Sequence, residues 1–513
     1  MMNPHIRSRL MTTMQAIFSA STAFALLGLT APAFAAVTVS GWPFAFPGDP
    51  GKGELPHAGD GVFGRLACPS LTRLNLKAKK SEPLLLRDLE VESPKQWKLV
   101  LKSGLYWWSG KPVDGPELAA YLRENMCTAV RSILGGDASC PSFDVAETPP
   151  AKGAGATVRV VWREPPQFGP YLFNNLPFFR TVSTGSVSPE QPAQTPSVEC
   201  AGLYAYGPAA PGWVDLMPSK GYPATRRTPI RIQAASQSAS GGGASPVLAF
   251  SFASEMSKGQ KCRRAVPFPS VVGISWREGN PGGLVSSPQV RKALTQILPR
   301  GELSRAGTQG LGELVTSVIP RQHPGYNAAL RIRPYSVDEA SAALDRLGWH
   351  RATADSPRLD RKTGKPVVLK LATSGPQSPG SELLQKVIGD SFALIGIRTE
   401  FVPSTDPAVD GIIGNLSPDW PDINFLSVLP RSAALNGSML SRDPATMRLL
   451  KSYALSLTTM APDFTLLQKI HERLYDAEVF SPVLQVGVCV DRSLKASTKP
   501  DFADPDWFRL LVL

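Results

Sequence analysis

Histidine is scarce in this chain of 513 residues: the five are His5, His57, His323, His350 and His471, and they stand far apart. No H-E-x-x-H pair occurs, which excludes a zincin-type metal helix. No G-x-S-x-G occurs either, which excludes a nucleophile-elbow hydrolase. Three consecutive glycines stand within Ser236 to Ser245, but no Lys-Ser/Thr pair follows them, so they lack the pattern of a phosphate-binding loop. Cysteine forms no C-x-x-C pair and no zinc spacing. Lysine and arginine are scattered and do not alternate with aromatic residues, which removes the usual footprint of a nucleic-acid partner. These gaps exclude most metal, cofactor and nucleophile chemistry. Neither an enzyme nor a resident cofactor or metal is expected.

Long apolar runs are also few. The longest, Ala16 to Leu29, is interrupted by Ser19, Ser21 and Thr22 and falls short of the roughly 18 continuous apolar residues of a comfortable span. Basic Arg7 and Arg9 precede it, and Ala33-Phe34-Ala35 closes it as a small-x-small site. Residues 1–35 therefore read as an export signal, cleaved near Ala35. No cysteine stands just after the site to accept a lipid, so a soluble periplasmic protein is expected. About 478 residues remain, more than one hydrophobic core sustains, and two or three packed units are expected. All six cysteines, Cys68, Cys127, Cys140, Cys200, Cys262 and Cys489, follow the cleavage site. An oxidising compartment permits up to three disulfides. Cys127 with Cys140 is the best local candidate, closing a 14-residue stretch for about 2–4 kcal/mol. The other four stay open. The net charge of +12 falls to about +10 without Arg7 and Arg9. It favours an anionic ligand or surface only through long-range attraction, and scattered surface charge serving solubility is the plainer reading.

Along the chain, Val37 begins a short strand in a Gly- and Pro-rich stretch, and Leu84 to Leu89 reads as a crossing between elements. Gln96 to Leu101 alternates as a strand with Trp97, Leu99 and Leu101 on one face. Asp114 and Glu117 have capping-box spacing before a helix whose Leu118, Tyr121, Leu122 and Met126 recur at helical period. Thr157 to Trp162 is strand-like, and Thr181 to Cys200, rich in Ser, Thr, Pro and Gln, reads as an exposed connection. Ser287 and Pro288 open a helix through Leu298. Ser336, Glu339 and Gly348 frame another. Val367 to Leu371, an amphipathic helix from Leu383 to Leu394, Gly396 and Ile397 to Val402 make a strand-helix-strand unit. Pro462 to Glu478 is a helix and Val483 to Val490 a strand; His471 reads as an ordinary helix residue.

Four stretches then line up in order. Leu101-Lys102-Ser103-Gly104 through Trp107-Trp108-Ser109-Gly110-Lys111-Pro112 forms a basic-Gly turn, an aromatic pair and a Gly-x-Pro. Val290-Arg291-Lys292-Ala293-Leu294 lies on the Ser287 helix, Pro334-Tyr335-Ser336 leads to Leu347-Gly348-Trp349, and Asp419-Trp420-Pro421-Asp422 precedes Phe425-Leu426. In this order they resemble the family 5 extracellular solute-binding proteins, which serve oligopeptide, dipeptide and nickel ABC import. The resemblance implies an α/β fold of the type II periplasmic-binding-protein kind, two lobes around a cleft. Lobe I would comprise 36–75, 196–283 and 486–513, with a subdomain at 76–195, and lobe II 284–485. It also implies a small-molecule or peptide ligand, an inner-membrane permease as partner, and a monomer.

By the same resemblance Asp419 is the first candidate ligand residue, pairing with a peptide amino terminus, and Trp420 is an apolar wall beside it. Asp422 follows proline and suits a turn. Tyr204, after Gly202, matches a family tyrosine near the crossing between subdomains. Trp276 stands near the inter-lobe crossing as a ligand platform, and Trp108 is the further candidate because adjacent strand residues face opposite ways. Oligosaccharides or opine-like conjugates are alternative ligands, and a periplasmic sensor or scaffold is an alternative role.

Overall fold

A computed structural model describes residues 37–42, 66–75, 78–134, 140–148, 155–166, 173–174, 178–182, 197–210, 213–220, 229–234, 248–252, 265–277, 283–307, 311–361, 363–373, 379–416, 444–456 and 462–492. The signal segment, Cys262, Asp419, Trp420 and Asp422 lie outside the described residues.

Two strands dominate, Ala265–Trp276 with 12 residues and Phe480–Arg492 with 13. They pair antiparallel at the centre of a ten-stranded mixed sheet. On one side lie Leu248–Phe252, Val37–Trp42, Ile230–Ala234, Trp213–Pro218 and Tyr204–Ala210; on the other lie Gly411–Leu416, Val368–Thr373 and Arg398–Phe401. Val37–Trp42 runs parallel to both its neighbours, as does Val368–Thr373. The strand-helix-strand unit read from sequence is therefore one parallel crossover, with helix Pro379–Ala393 between its strands. Gly396 sits at φ +76, a left-handed turn, and a Cβ there would meet Ser356 O at 2.9 Å. The result is a two-lobed α/β fold whose halves share the two long central strands.

A four-stranded antiparallel sheet, in the order Leu86–Ser93, Gln96–Leu101, Thr157–Trp162, Phe143–Thr148, forms a separate layer. Leu86–Ser93 is a strand where only a crossing was expected. A two-residue turn at Pro94-Lys95 folds it back on Gln96–Leu101, and Glu90 pairs with Lys98 across the ladder. Helix Gly115–Leu134 buries Leu118, Tyr121, Leu122 and Met126. Its capping box closes both ways: Glu117 N–H donates to Asp114 Oδ1 at 2.9 Å, and Asp114 N–H to Glu117 Oε2 at 3.2 Å. The expected connection after Thr181 begins and ends in order, since Phe179–Val182 pairs antiparallel with Ser197–Cys200.

Cys68 is bonded to Cys200 and Cys127 to Cys140. Cys489 is also disulfide-bonded, to a partner outside the described residues. Gly202 follows the first of these bridges, and a Cβ there would meet Ala67 O at 2.0 Å, so only glycine lets the two backbones approach.

One buried cluster runs from the four-stranded layer through Tyr204, Leu216 and Ile232 to helices Pro444–Ser456 and Phe464–Ala477. A second gathers Ile274, Trp276, Leu294, Leu344, Leu371 and Phe392 beneath helices Pro288–Gln296, Val337–Arg346 and Pro379–Ala393. Ser336 accepts from Glu339 N–H at 3.2 Å, as the box predicts, while Ser287 makes no side-chain cap and turns to Gln289 instead.

Candidate functional site

The lobes meet at the two central strands, and the chemistry there starts with their register. Val271 to Ser275 pair with Gln485 to Phe480 on one edge and with Leu416 to Ile412 on the other. Ala265 to Pro267 pair with Cys489 to Gly487, which also faces the Leu248–Phe252 side. Between Pro267 and Val271 the register shifts. Pro267 and Pro269 have no N–H to give the ladder, so the break belongs to the sequence itself.

Trp276 ends the first strand and is 1% exposed. Its indole N–H donates to Ser481 Oγ at 2.6 Å, and its backbone N–H donates to Val479 O at 3.0 Å. Ser481 Oγ also bonds Thr295 Oγ1. Gly411 leaves room for the ring, since a Cβ there would meet Trp276 Cε3 at 2.9 Å. The indole is thus enclosed between Ser481 and the strand Gly411–Leu416. Below it, Arg291 of the Val290-Arg291-Lys292-Ala293-Leu294 stretch donates to the carbonyls of Val285 and Ser286 and to those of Ala477 and Glu478. Arg333 Nε meets Glu478 Oε2 at 3.0 Å, and its guanidinium lies 4.1 Å from the Tyr475 ring centre. Burial pushes the Glu478 carboxyl up and the Arg300 guanidinium down, against the pull of their opposite charges.

The candidates of the other half cluster around the Cys68–Cys200 bridge. Tyr204, 1% exposed, opens strand Tyr204–Ala210 opposite Pro218. Trp108 donates its indole N–H to Ala67 O at 3.1 Å and its backbone N–H to Cys200 O at 3.1 Å, and its ring meets Tyr206 edge-on at 5.8 Å. Trp107 points into the core: its indole N–H donates to Glu117 Oε2 at 2.6 Å, with Phe178 stacked at 5.0 Å and Arg180 over the ring at 5.0 Å. Arg180 also bonds Glu199, whose carboxyl is held below its usual range by Ser109 and Arg180 despite partial burial. Trp108 therefore packs against the buried cluster that holds Tyr204, while Trp276 belongs to the other buried cluster.

Sequence reasoning missed the segment 311–327, and His471, read as an ordinary helix residue, stands on the buried face of helix Phe464–Ala477. That side chain is fully buried: Asn327 N–H donates to Nδ1 at 2.8 Å, and Nε2 lies 3.1 Å from Thr316 Oγ1. Helical period was the available signal, since Leu467, His471 and Leu474 share the buried face. Burial pulls His471 down to about 4 and His323 down to about 3. Among the described residues no cluster of His, Cys, Asp and Glu is arranged to hold a metal, and no helix is long and apolar enough to cross a membrane.

A mixed sheet halved by two shared strands, with helices on both clusters, defines the type II periplasmic-binding-protein fold. Solved structures share it along their whole length. NikA from Brucella suis, in complex with Fe(III)-EDTA, superposes with TM-score 0.69 at 14% identity, covering 92% of this chain and 99% of that one. The periplasmic oligopeptide-binding protein of an oligopeptide ABC transporter from Thermotoga maritima gives 0.66 at 15%, covering 93% and 97%. The oligopeptide-binding protein AppA from Bacillus subtilis, holding a nonapeptide, gives 0.63 at 14%, covering 93% and 98%. No protein-family model matches the chain, and no curated protein matches its sequence.

Proposed function

We propose that this protein is the exported, periplasmic solute-binding component of an ABC importer, capturing a small ligand between its lobes and handing it unchanged to an inner-membrane permease. An oligopeptide or dipeptide is the leading ligand. The observation that carries this reading is full-length correspondence of fold: more than nine-tenths of this chain and of each compared chain superpose, peptide binders among them. The lobes are taken to divide as the motifs imply, with lobe I from 36–75, 196–283 and 486–513, its subdomain at 76–195, and lobe II at 284–485.

Asp419 and Trp420 are the proposed recognition pair. Strand Gly411–Leu416 ends opposite Val271, at the junction of the lobes, and Asp419 follows Leu416 by three residues. Three residues of extended chain span at most about 11 Å. A carboxylate in a closing cleft pairs with a ligand ammonium more strongly than it would in water. Asp422 shapes the turn. Trp108, Tyr204 and Trp276 support the walls, since the two indole N–H groups are already engaged, with Ala67 O and with Ser481 Oγ.

Native mass spectrometry of freshly purified mature protein tests the ligand class, a retained peptide mass being the expected result. Asp419→Asn is expected to weaken a peptide with a free amino terminus about tenfold or more by calorimetry; unchanged affinity removes the amino-group contact. A second reading, an anionic metal chelate, is supported by the net charge of +12 and the Fe(III)-EDTA complex of NikA. A chelate mass in the same spectrum selects it.

A further inference from the structure

Residues 345–365 carry six basic side chains against three acidic ones, a net +3 of the chain's +12 within 21 residues. They are spaced along the sequence, and the fold gathers them. Helix Val337–Arg346 ends at Leu347 and Gly348, whose φ of +92 turns the chain into Trp349–His350, and this pairs antiparallel with Leu359–Asp360. Trp349 is buried in the second cluster and anchors the hairpin. Arg361 N–H donates to Gly348 O at 2.8 Å, and a Cβ on Gly348 would lie 3.7 Å from Arg361 Cβ, so Arg361 stands beside the helix end. Asp360 N–H donates to Lys365 O at 2.9 Å and closes the turn that carries Lys365.

Two of the three acids are engaged within the fold. Asp345 accepts from Arg358 Nη1 at 2.6 Å, and Arg358, 0% exposed, also donates to Ile395 O at 2.9 Å. Asp360 accepts from Thr363 N–H at 3.0 Å within the turn. Asp355 is exposed. The ion pairs here among the described residues are Arg358 with Asp345 and, on edge strand Arg398–Phe401, Arg398 with Glu400. Arg346, Arg361 and Lys365 are exposed and enter neither pair. Leu347, between Arg346 and the glycine that Arg361 adjoins, is 39% exposed.

We propose that Arg346, Leu347, Arg361 and Lys365 form a docking surface for the anionic headgroups of a phospholipid bilayer. Each lysine or arginine near such a surface strengthens attachment about fivefold. The attraction decays within a Debye length, so cations act together only where the fold sets them at one end. A leucine tip between them enters the headgroup boundary, where apolar burial adds to the charge. A protein partner would need a packed apolar centre rather than one side chain among point charges, whereas headgroups shift to meet such charges. Nucleic acid would need stacking rings, and the tryptophan here is buried. Attachment holds the protein beside the membrane in which a permease lies and raises their rate of encounter. The surface rests on the proposed function only for its location beside a membrane, and vesicle binding requires neither ligand nor permease, so the two fail separately.

Sedimentation of the full-length mature protein with vesicles at low salt tests it. Vesicles of equal parts phosphatidylglycerol and phosphatidylcholine are expected to retain the wild type about tenfold or more better than phosphatidylcholine alone. Equal retention, or none, overturns the surface. Arg346→Ser, Arg361→Ser and Lys365→Ser together should lower the partition coefficient about a hundredfold. Lys79→Gln, Lys111→Gln and Lys220→Gln together remove the same charge from exposed sites elsewhere and should lower it far less. Equal losses in the two triple variants would assign the binding to net charge and refute the hairpin. Leu347→Ser should cost about threefold on the anionic vesicles, and an unchanged value removes the apolar tip. If circular dichroism shows the first triple variant misfolded, Lys365→Glu alone is read instead: a loss of about tenfold or more supports the surface, and no change refutes it.

Discussion

Arg291 bears most on how the lobe holds together. It is 1% exposed, and its guanidinium reaches four carbonyls from two directions, Val285 and Ser286 ahead of its own helix and Ala477 and Glu478 at the end of another. Helix C-termini leave carbonyls unsatisfied and carry partial negative charge, so a forked cation there satisfies bonds and complements the dipole together. The next residue explains why the end needs fixing: Glu478 adopts φ 46, a left-handed conformation that costs a residue with a Cβ about 1–2 kcal/mol. Arg333 holds its carboxylate and Arg291 its carbonyl. Arg291→Met leaves buried carbonyls without a donor at about 1–3 kcal/mol each, so a loss above about 3 kcal/mol is expected in urea unfolding. Arg291→Lys, a point charge with no fork, should lose roughly half as much. A Met variant within about 1 kcal/mol of wild type would mean that water satisfies those carbonyls.

Among the elements, the two disulfides whose cysteines are both described differ in what they constrain. Cys127 and Cys140 are 13 residues apart and tie the helix Gly115–Leu134 to the chain entering Phe143–Thr148, whereas Cys68 and Cys200 are 132 apart and join the segment at Ala67 to the start of strand Tyr204–Ala210. Loop-closure entropy assigns about 3 kcal/mol to the short bridge and about 5 kcal/mol to the long one. Cys68→Ser with Cys200→Ser should therefore lower the thermal midpoint more than Cys127→Ser with Cys140→Ser, by scanning calorimetry; the reverse order would mean that the unfolded chain is already compact around the long loop. The same contrast marks what was legible in the sequence. Local grammar carried well: the Asp114–Glu117 box, the Ser336 cap, Gly396 and the amphipathic helix at Leu383 each depend on residues a few positions apart. Leu86–Ser93 escaped because its partner strand, not its own pattern, makes it a strand. Gln485 escaped because its burial depends on Arg321 and Gln322, more than 150 residues earlier. The candidate residues divided likewise: adjacency separated Trp107 from Trp108, but nothing near Trp276 in the chain announces Ser481 as its partner.

For the whole molecule, buried titratable groups of opposite sense set how stability follows pH. His323 and His471 are held neutral by burial, at about 3 and about 4 against an ordinary 6.5. The unfolded chain binds those two protons first, so their contribution is complete above pH 6.5 and is lost as pH falls toward the folded values. Asp410 runs the other way. Burial raises it from 3.8 to about 6 although Lys370 N–H donates to it at 2.9 Å, so its contribution is present at low pH and is lost as pH rises through about 6. Glu478 is raised by burial as well and has the same sign as Asp410. Between pH 4.5 and 6 these terms oppose, and the wild-type slope is flatter than two histidines alone would make it. Variants separate them. His471→Gln removes one proton taken up on unfolding, so ΔG against pH should become less positive by about 1.4 kcal/mol per pH unit across that window. Asp410→Asn should make the slope more positive by up to the same amount. Urea midpoints from pH 4.5 to 7 measure both, and slopes that move in the same direction in the two variants would show that one of these groups is solvated in the folded protein.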